Sequence, residues 1–419
     1  MAHLAINGGE AIAPQGLRAM WPIFDHTDRQ ALLRALDSGN WCRLNWADPK
    51  DSEVAQFEVE FARCHDAKNC VAVANGTAAI EVALKAGGIE AGDEVLVPAV
   101  TFIASAIAII LAEAVPIFVD IDPETYQIDP AAMENAVTSR TAAAVVVHYG
   151  GYPADMDAVA AVAKRHDLFI VEDCAHAHGT EWRGRKVGAL VGAGTFSFQA
   201  SKTLNCGEGG AVVTDSEELA GKAFSYHHIG RVAGRPFYEH HIAAPNYRMT
   251  EFQGALLRSQ LAKFAPQTEQ RHRSASRLSA ALAEMAGVAP LKPDQRITQQ
   301  GYYFYLFRFL ADEWEGIHRD RFLEAMRAEG IPAGNAYGIP IHRNPVFQQH
   351  GFGRTGCPIN CAHYGRELDY TKVRLPVAER VLAEEQVSLG KDVLMEASNM
   401  DLIIGAVEKI YRNRDELRG

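Results

Sequence analysis

One lysine in this sequence sits where an aromatic-rich run gives way to a glycine-rich turn. The stretch reads Thr195-Phe196-Ser197-Phe198-Gln199-Ala200-Ser201-Lys202, then Cys206-Gly207-Glu208-Gly209-Gly210. A lysine held in a partly desolvated pocket loses proton affinity and becomes an amine competent to form a Schiff base. Upstream, Val171-Glu172-Asp173-Cys174-Ala175-His176-Ala177-His178 places a carboxylate at the end of an apolar strand. Such a carboxylate is costly to bury unless a cation or proton donor meets it, and a protonated heteroaromatic nitrogen would serve. Asn75-Gly76-Thr77-Ala78-Ala79 opens a helical pattern just after another apolar run. A glycine there lets the backbone approach an anion, while the helix start offers free N–H groups and a favourable dipole. Pro98-Ala99-Val100-Thr101-Phe102-Ile103-Ala104-Ser105 adds an aromatic able to stack on a flat ring. Taken singly, each segment also fits a plainer role: turn and cap for Gly76 and Thr77, core for Phe102, helix cap for Asp173, exposed loop for Lys202.

These segments need elements to hold them. From about residue 70 to 215, short apolar runs alternate with helical patterns, the signature of a sheet with crossover helices. The pattern predicts strands over 70–74, 94–98, 115–120, 143–148, 168–172, 195–198 and 210–214, and helices over 78–86, 102–112, 130–137 and 156–166. Asp129-Pro130 supplies a cap and a first-turn proline for one of these helices. Sheets of this kind bind ligands in loops beyond their strand ends. Further on, 250–285 reads as one long helix or a helix pair, 302–310 as a strand, 318–329 as a helix stopped by Gly330-Ile331-Pro332, and 400–412 as a closing helix. Residues 227–241 carry His227, His228, Arg231, Arg235, His240 and His241 among glycines. They read as a mobile loop whose adjacent histidines fit solvated side chains better than a metal site.

Composition narrows the function classes. The 419 residues hold 41 Lys plus Arg against 52 Asp plus Glu, a net charge of −11. That balance lacks the basic footprint of a nucleic-acid binder. The longest apolar stretch, 103–119, is interrupted by Ser105, Glu113 and Pro116 and falls short of the roughly 20 residues a bilayer needs. Met1-Ala2-His3-Leu4-Ala5 shows no basic segment followed by an apolar run, so no secretory leader is expected. Seven cysteines, odd in number and without zinc-ribbon spacing, read as free thiols in a reducing cytoplasm, with no bound metal.

Five motifs then fall in order: NGTAA, PAVTFIAS, EDCAHAHG, FSFQASK with GEGG, and Asn246-Tyr247-Arg248-Met249-Thr250-Glu251. Together they make the sequence resemble the DegT/DnrJ/EryC1/StrS family of pyridoxal-phosphate enzymes, the sugar and cyclitol aminotransferases. The leader Leu4-Ala5-Ile6-Asn7-Gly8-Gly9, followed by Trp21-Pro22, is similar to the branch holding inosose aminotransferases and 3-amino-5-hydroxybenzoate synthases. The resemblance covers almost the whole chain. It implies an α/β fold, pyridoxal-phosphate fold type I, with an N-terminal arm over 1–30, a large cofactor domain over 31–270 built on a mainly parallel mixed sheet, and a smaller α+β domain over 271–419.

The resemblance also implies roles. Lys202 would hold the cofactor aldehyde and shuttle protons. Asp173 would keep the cofactor's pyridine nitrogen protonated, Phe102 would stack on the ring, and His176 would lie near the ring's phenolic oxygen. Gly76, Thr77 and Ser197 would bind the phosphate. Asn246 would reach the phosphate of the partner subunit in a homodimer, its alternative being a structural lead-in to the next helix. The implied reaction moves an amino group from L-glutamate or L-glutamine to the ketone of a sugar or cyclitol. The alternative is a dehydratase of the aminobenzoate-synthase type, with elimination and aromatisation on the same cofactor. The family's sugar 3-dehydratases carry histidine where Lys202 stands, which disfavours that class. A regulatory protein that merely binds the cofactor would not need this lysine, and no DNA-binding module is evident. The stretches 226–246 and 337–343 are expected to face the acceptor.

Overall fold

The computed structural model describes residues 3–45 and 51–418. Met1, Ala2, residues 46–50 and Gly419, which fall within the expected leader and domains, lie outside the described residues. Two helices, α1 (His26–Asp37) and α2 (Glu53–Cys64), precede the alternating region. There β1 (Asn69–Val73), α3 (Gly76–Ala86), β2 (Glu94–Pro98), α4 (Ala104–Leu111), β3 (Val115–Val119), α5 (Pro130–Ala136), β4 (Thr141–Val147), α6 (Met156–His166) and β5 (Phe169–Asp173) follow in turn. After the short β6 (Glu181–Trp182) and β7 (Arg185–Lys186) come β8 (Ala193–Ser197), β9 (Gly210–Thr214) and α7 (Glu217–His227).

Seven of these strands form one sheet in the order β1-β9-β8-β5-β4-β2-β3. The run from β8 to β3 is parallel, and β9 alone turns back, antiparallel to both β8 and β1. The parallel strands are apolar and buried because helices cover both faces. Val145 and Val171 pack on one side with α3 and α4, while Val146 and Ile170 pack on the other with Phe57 and Val159.

Side chains alternate across a strand, so the neighbours Glu172 and Asp173 serve opposite faces of β5. Glu172 is wholly buried. It accepts backbone N–H bonds from Gly188 (2.9 Å), Leu190 (2.8 Å) and Val191 (2.9 Å). Ala154 N–H donates to His148 Nδ1, so His148 Nε2 carries the proton and donates to Glu172 at 3.2 Å. Cys174 lies beside this pair within metal-ligand distance. Both histidine nitrogens and the carboxylate oxygens are already committed to hydrogen bonds, so the cluster is scaffold.

The rest of the chain is α8 (Glu251–Leu261), α9 (Phe264–Leu282), β10 (Val288–Pro290), β11 (Ile297–Gln299), β12 (Phe304–Phe309), α10 (Arg319–Ala328), α11 (Pro345–Gln348), α12 (Pro376–Arg380), β13 (Gln386–Gly390) and α13 (Asn399–Arg412). Strands β10, β12 and β13 make an antiparallel sheet whose core gathers Phe307, Trp314, Phe322 and Ile403. Leu4 and Ala13 of the leader join that core. Among the described residues no helix is long and apolar enough to cross a membrane.

Three differences from the sequence reading matter for the site. Helix α4 starts at Ala104, so Phe102 stands in the turn before it and is 52% exposed. β5 ends on Asp173 itself, one residue beyond expectation, because Asp173 still pairs with Val147 of β4. Residues 227–241 are not all loop. His227 ends α7 and is buried, its ring 5.2 Å from Phe224 and 5.6 Å from His228. The excursion then closes on itself through Ile229 N–H to Pro245 O and Tyr247 N–H to His227 O.

Replacing Glu172 by Ala leaves one buried and two part-buried N–H groups and His148 without their acceptor. Glu172→Ala should therefore cost at least about 3 kcal/mol, read as a lower urea midpoint at unchanged slope. A midpoint like that of the wild type would contradict the scaffold role.

Candidate active site

The carboxyl end of β5, the β8–β9 turn, the start of α3 and the turn before α4 converge on a cavity of about 720 Å³. Asp173 is 5% exposed and faces it. Its Oδ2 accepts the Ser105 hydroxyl at 2.7 Å and its Oδ1 accepts the Ala175 N–H at 3.1 Å. Thr101 and Ser105 share a further hydroxyl bond of 3.1 Å. These donors fix the direction of the carboxylate.

Lys202 lies in the turn that joins β8 to β9. That turn is closed by Phe198 N–H to Gly209 O (2.8 Å), Cys206 N–H to Phe198 O (2.9 Å) and Lys202 N–H to Gln199 O (2.8 Å). The lysine is 8% exposed, and its Nζ stands 4.3 Å from the ring centroid of Tyr303. Burial pulls its ammonium down to about 8, Asp173 opposing the shift and Lys391 adding to it. A substantial neutral fraction near physiological pH makes it a nucleophilic amine.

The start of α3 forms an anion cup. Asn75 caps it, its side chain accepting Ala78 N–H at 2.9 Å and its carbonyl accepting Ala79 N–H at 3.0 Å. The first N–H groups of a helix have no partner within it, which leaves those of Gly76 and Thr77 beside the cavity. A Cβ added at Gly76 would sit 2.6 Å from Ser197 Cβ and 3.0 Å from its Oγ. Only glycine lets helix start and serine hydroxyl close around one small anion.

His176 is buried and held neutral by desolvation. Gly150 N–H donates to its Nδ1 at 3.3 Å, so Nε2 carries the proton and donates to Tyr337 Oη at 2.9 Å. The Tyr337 phenol, which burial keeps protonated, is then free to donate its own hydrogen into the cavity. The His176 ring stacks on Tyr303 at 4.2 Å and 18°.

The cavity thus brings together Gly76, Thr77, Phe102, Asp173, His176, Ser197 and Lys202 from the sequence reading. Asn246 does not line it. It is exposed, in a bridge with His228. Of the stretches expected to face an acceptor, Tyr337 reaches the cavity; Tyr247, just past the first stretch, also lines it and donates to buried Glu81 at 2.9 Å. His342 and Arg343 turn elsewhere, both bonding Glu379, and His342 is buried beside Phe118. His178 packs against Phe196 and Phe198 off the cavity. Sequence reasoning left Ser105 and Tyr303 without roles and placed Tyr337 only within a stretch expected to face the acceptor. Ser105 stood inside a quoted motif, while the tyrosines come from the second half of the chain, where no motif marked them.

Residues 24–393 match the model of the DegT/DnrJ/EryC1/StrS aminotransferase family. The chain belongs to this family. Among its relatives, the L-glutamine:2-deoxy-scyllo-inosose aminotransferase of Micromonospora echinospora is 37% identical over 437 residues, covering 100% of both chains. The 3-amino-5-hydroxybenzoate synthase of Amycolatopsis mediterranei is 41% identical over 335 residues, 79% of this chain and 84% of that one. The crystal structure of a 3-amino-5-hydroxybenzoic acid synthase superposes with a TM-score of 0.81 at 35% identity, covering 94% of this chain and 99% of that chain. The fold is therefore the α/β fold type I of these aminotransferases.

For this aminotransferase the titration of Lys202 is measurable on its own. Trapping a small aldehyde on the apoprotein with cyanoborohydride, located by peptide mapping, should label Lys202 with a midpoint near pH 8. Below it the rate falls about tenfold per unit, since only the neutral amine attacks. A midpoint at pH 10 or above would show that burial does not depress this amine.

Proposed function

We propose that this chain binds pyridoxal 5′-phosphate and moves an amino group from L-glutamine, or L-glutamate, to the ketone of a cyclitol or related sugar. The observation that carries the reading is one cavity holding a depressed lysine, a hydrogen-bonded carboxylate and a helix-start anion cup. Those three features fit the cofactor's aldehyde, ring nitrogen and phosphate respectively. When bound, the cofactor supplies an exchangeable aldehyde and a conjugated ring that accepts the electron pair left when a substrate carbon loses its proton.

The protein's own residues do the rest. Lys202, neutral in part, would hold the cofactor through its aldehyde and, when its amine is free, would take up and return a proton beside the reacting carbon. Asp173, fixed by Ser105 and Ala175 N–H, holds a proton on the ring nitrogen. Gly76, Thr77 and Ser197 bind the phosphate oxygens. Phe102 covers one ring face, and His176 orients near the phenolic oxygen. Hydroxyls of Thr101, Ser201, Tyr303 and Tyr337 lie at or beside this cavity. They match a polyhydroxylated ketone better than an apolar one. Full-length similarity to inosose aminotransferases supports a cyclitol acceptor and glutamine as donor.

A second reading, elimination with aromatisation, is favoured by the similarity to 3-amino-5-hydroxybenzoate synthase. It starts from the same residues and differs in product. The deciding experiment incubates purified holoprotein with L-glutamine, L-glutamate and a panel of ketocyclitols and ketosugars, reading amine products by mass. Amination of an inosose, abolished in Lys202→Ala along with borohydride-fixed cofactor, is the expected outcome. An aromatic amine with no cyclitol amine would move the reading to the second class.

The working form in this reading is a cytoplasmic homodimer with shared sites, in keeping with seven free cysteines. Asn246 faces outward, and the nearby excursion exposes Phe237, Tyr238 and Ile242. A second copy covering that surface would bring Asn246 to the partner's phosphate cup. Mixing inactive Lys202→Ala protein with a severe, inactive Asn246 variant should then restore up to about one quarter of wild-type activity. At full exchange half the dimers are mixed, each with one intact site of two. No recovery despite demonstrated subunit exchange would assign Asn246 to its own chain.

A further inference from the structure

An amino-acid donor brings a group that a cyclitol acceptor lacks, its α-carboxylate. Holding that anion beside Lys202, away from water, calls for a cation. Among the described residues that line the cavity, Lys202 is the only Lys or Arg, and its amine is committed to the chemistry. The next cation is Lys391, at the end of β13. It is 8% exposed, its Nζ 4.6 Å from the Trp21 ring centroid and 5.6 Å from that of Tyr303. Tyr303 lines the cavity and also carries Lys202 against its ring, so an anion beside Tyr303 is within reach of Lys391.

Lys391 is unusual in what it lacks. Among the described residues its ammonium meets ring faces but neither a hydrogen-bond acceptor nor a salt-bridged carboxylate, and Asp392 acts on it only through space. Ring faces alone replace the lost hydration of a buried ammonium poorly. Arg271, close enough to repel it, is itself fully buried and satisfied by Gly301 O and Thr268 Oγ1 without a carboxylate. Three cations here (Lys202, Lys391, Arg271) thus face the carboxylates of Asp173 and Asp392. Of the nearby arginines, Arg43 pairs with Glu58, Arg231 Nε donates to Phe237 O, and Arg248 Nη1 lies 3.4 Å from His228 Nδ1. Trp21 is itself tied to the lysine turn, its Nε1–H donating to Ala200 O at 3.2 Å.

We propose that Lys391, backed by Trp21, binds the α-carboxylate of the amino donor. The assignment rests on the transamination reading above, and the experiment separates the two. Glutaramate keeps the carboxylate and side-chain amide of L-glutamine but has no amine to react; glutaramide replaces the carboxylate by a second amide. Calorimetric titration of the holoprotein with each should show glutaramate bound more tightly by the wild type. Lys391→Met should weaken glutaramate about ten- to hundredfold and leave glutaramide nearly unchanged, while Lys391→Arg keeps glutaramate within a few-fold. Cofactor absorbance and the thermal midpoint report that the fold is retained. Should Lys391→Met not accumulate as folded holoprotein, Lys391→Gln carries the same comparison. Unchanged glutaramate affinity in the variant, or equal loss of both ligands, overturns the carboxylate subsite while leaving transamination standing. A wild type that binds no glutaramate and is inert to both L-glutamine and L-glutamate overturns the donor reading, and the subsite with it.

Discussion

Lys202 and Asp173 are buried in the same cavity, and the rest of the site follows from the difficulty of keeping both there. Desolvation works against an ammonium and against a carboxylate alike. The carboxylate is fixed by donors that approach from two directions, a serine hydroxyl and a backbone N–H. The ammonium has no hydrogen-bond partner of that kind. It rests on the Tyr303 ring, and burial loosens its proton. One group is held rigidly by hydrogen bonds and the other is left a readily deprotonated amine, although both line the same cavity.

The scaffold that sustains this contrast is polar where the site is not. Glu172, one residue before Asp173, uses its carboxylate to tie three loop amides and His148 to β5. Strand alternation sends it to the opposite face of the sheet. Adjacent acids in the EDCAHAHG motif therefore divide the labour of architecture and chemistry. A register error of one residue would exchange them.

Much of this was legible in the sequence because the decisive residues sit at the ends of strands and the starts of helices. Apolar runs locate the strands, and Gly76-Thr77, Asp173 and Lys202 are read off the punctuation that follows them. What periodicity does not reveal is which distant residue fills the space opposite. Tyr303 and Tyr337 enter from turns around β12 and before α11, far along the chain; Tyr303 looks like ordinary aromatic core, and Tyr337 is marked only as part of a stretch expected to face the acceptor. Ser105 looks like a helix residue until the hydroxyl is seen on Asp173. The expectation for 227–241 differs only at its start, where His227 closes α7 with its ring against Phe224 and His228, and 228–241 lie outside helices and strands as the polar and basic residues signalled. His342 and Arg343 similarly looked like surface donors, yet Glu379 draws both aside.

The leader runs between two parts of the molecule that also meet where β11 pairs with β6 and where Tyr364, Tyr370 and Ala378 pack against the core of the larger sheet. Leu4 and Ala13 are anchored in the core around β12 and α13, and eight residues past Ala13 the Trp21 indole holds the backbone of the lysine turn. This makes the leader a mechanical tether. The same leader that is packed into the smaller sheet's core thus also bonds the backbone two residues before Lys202.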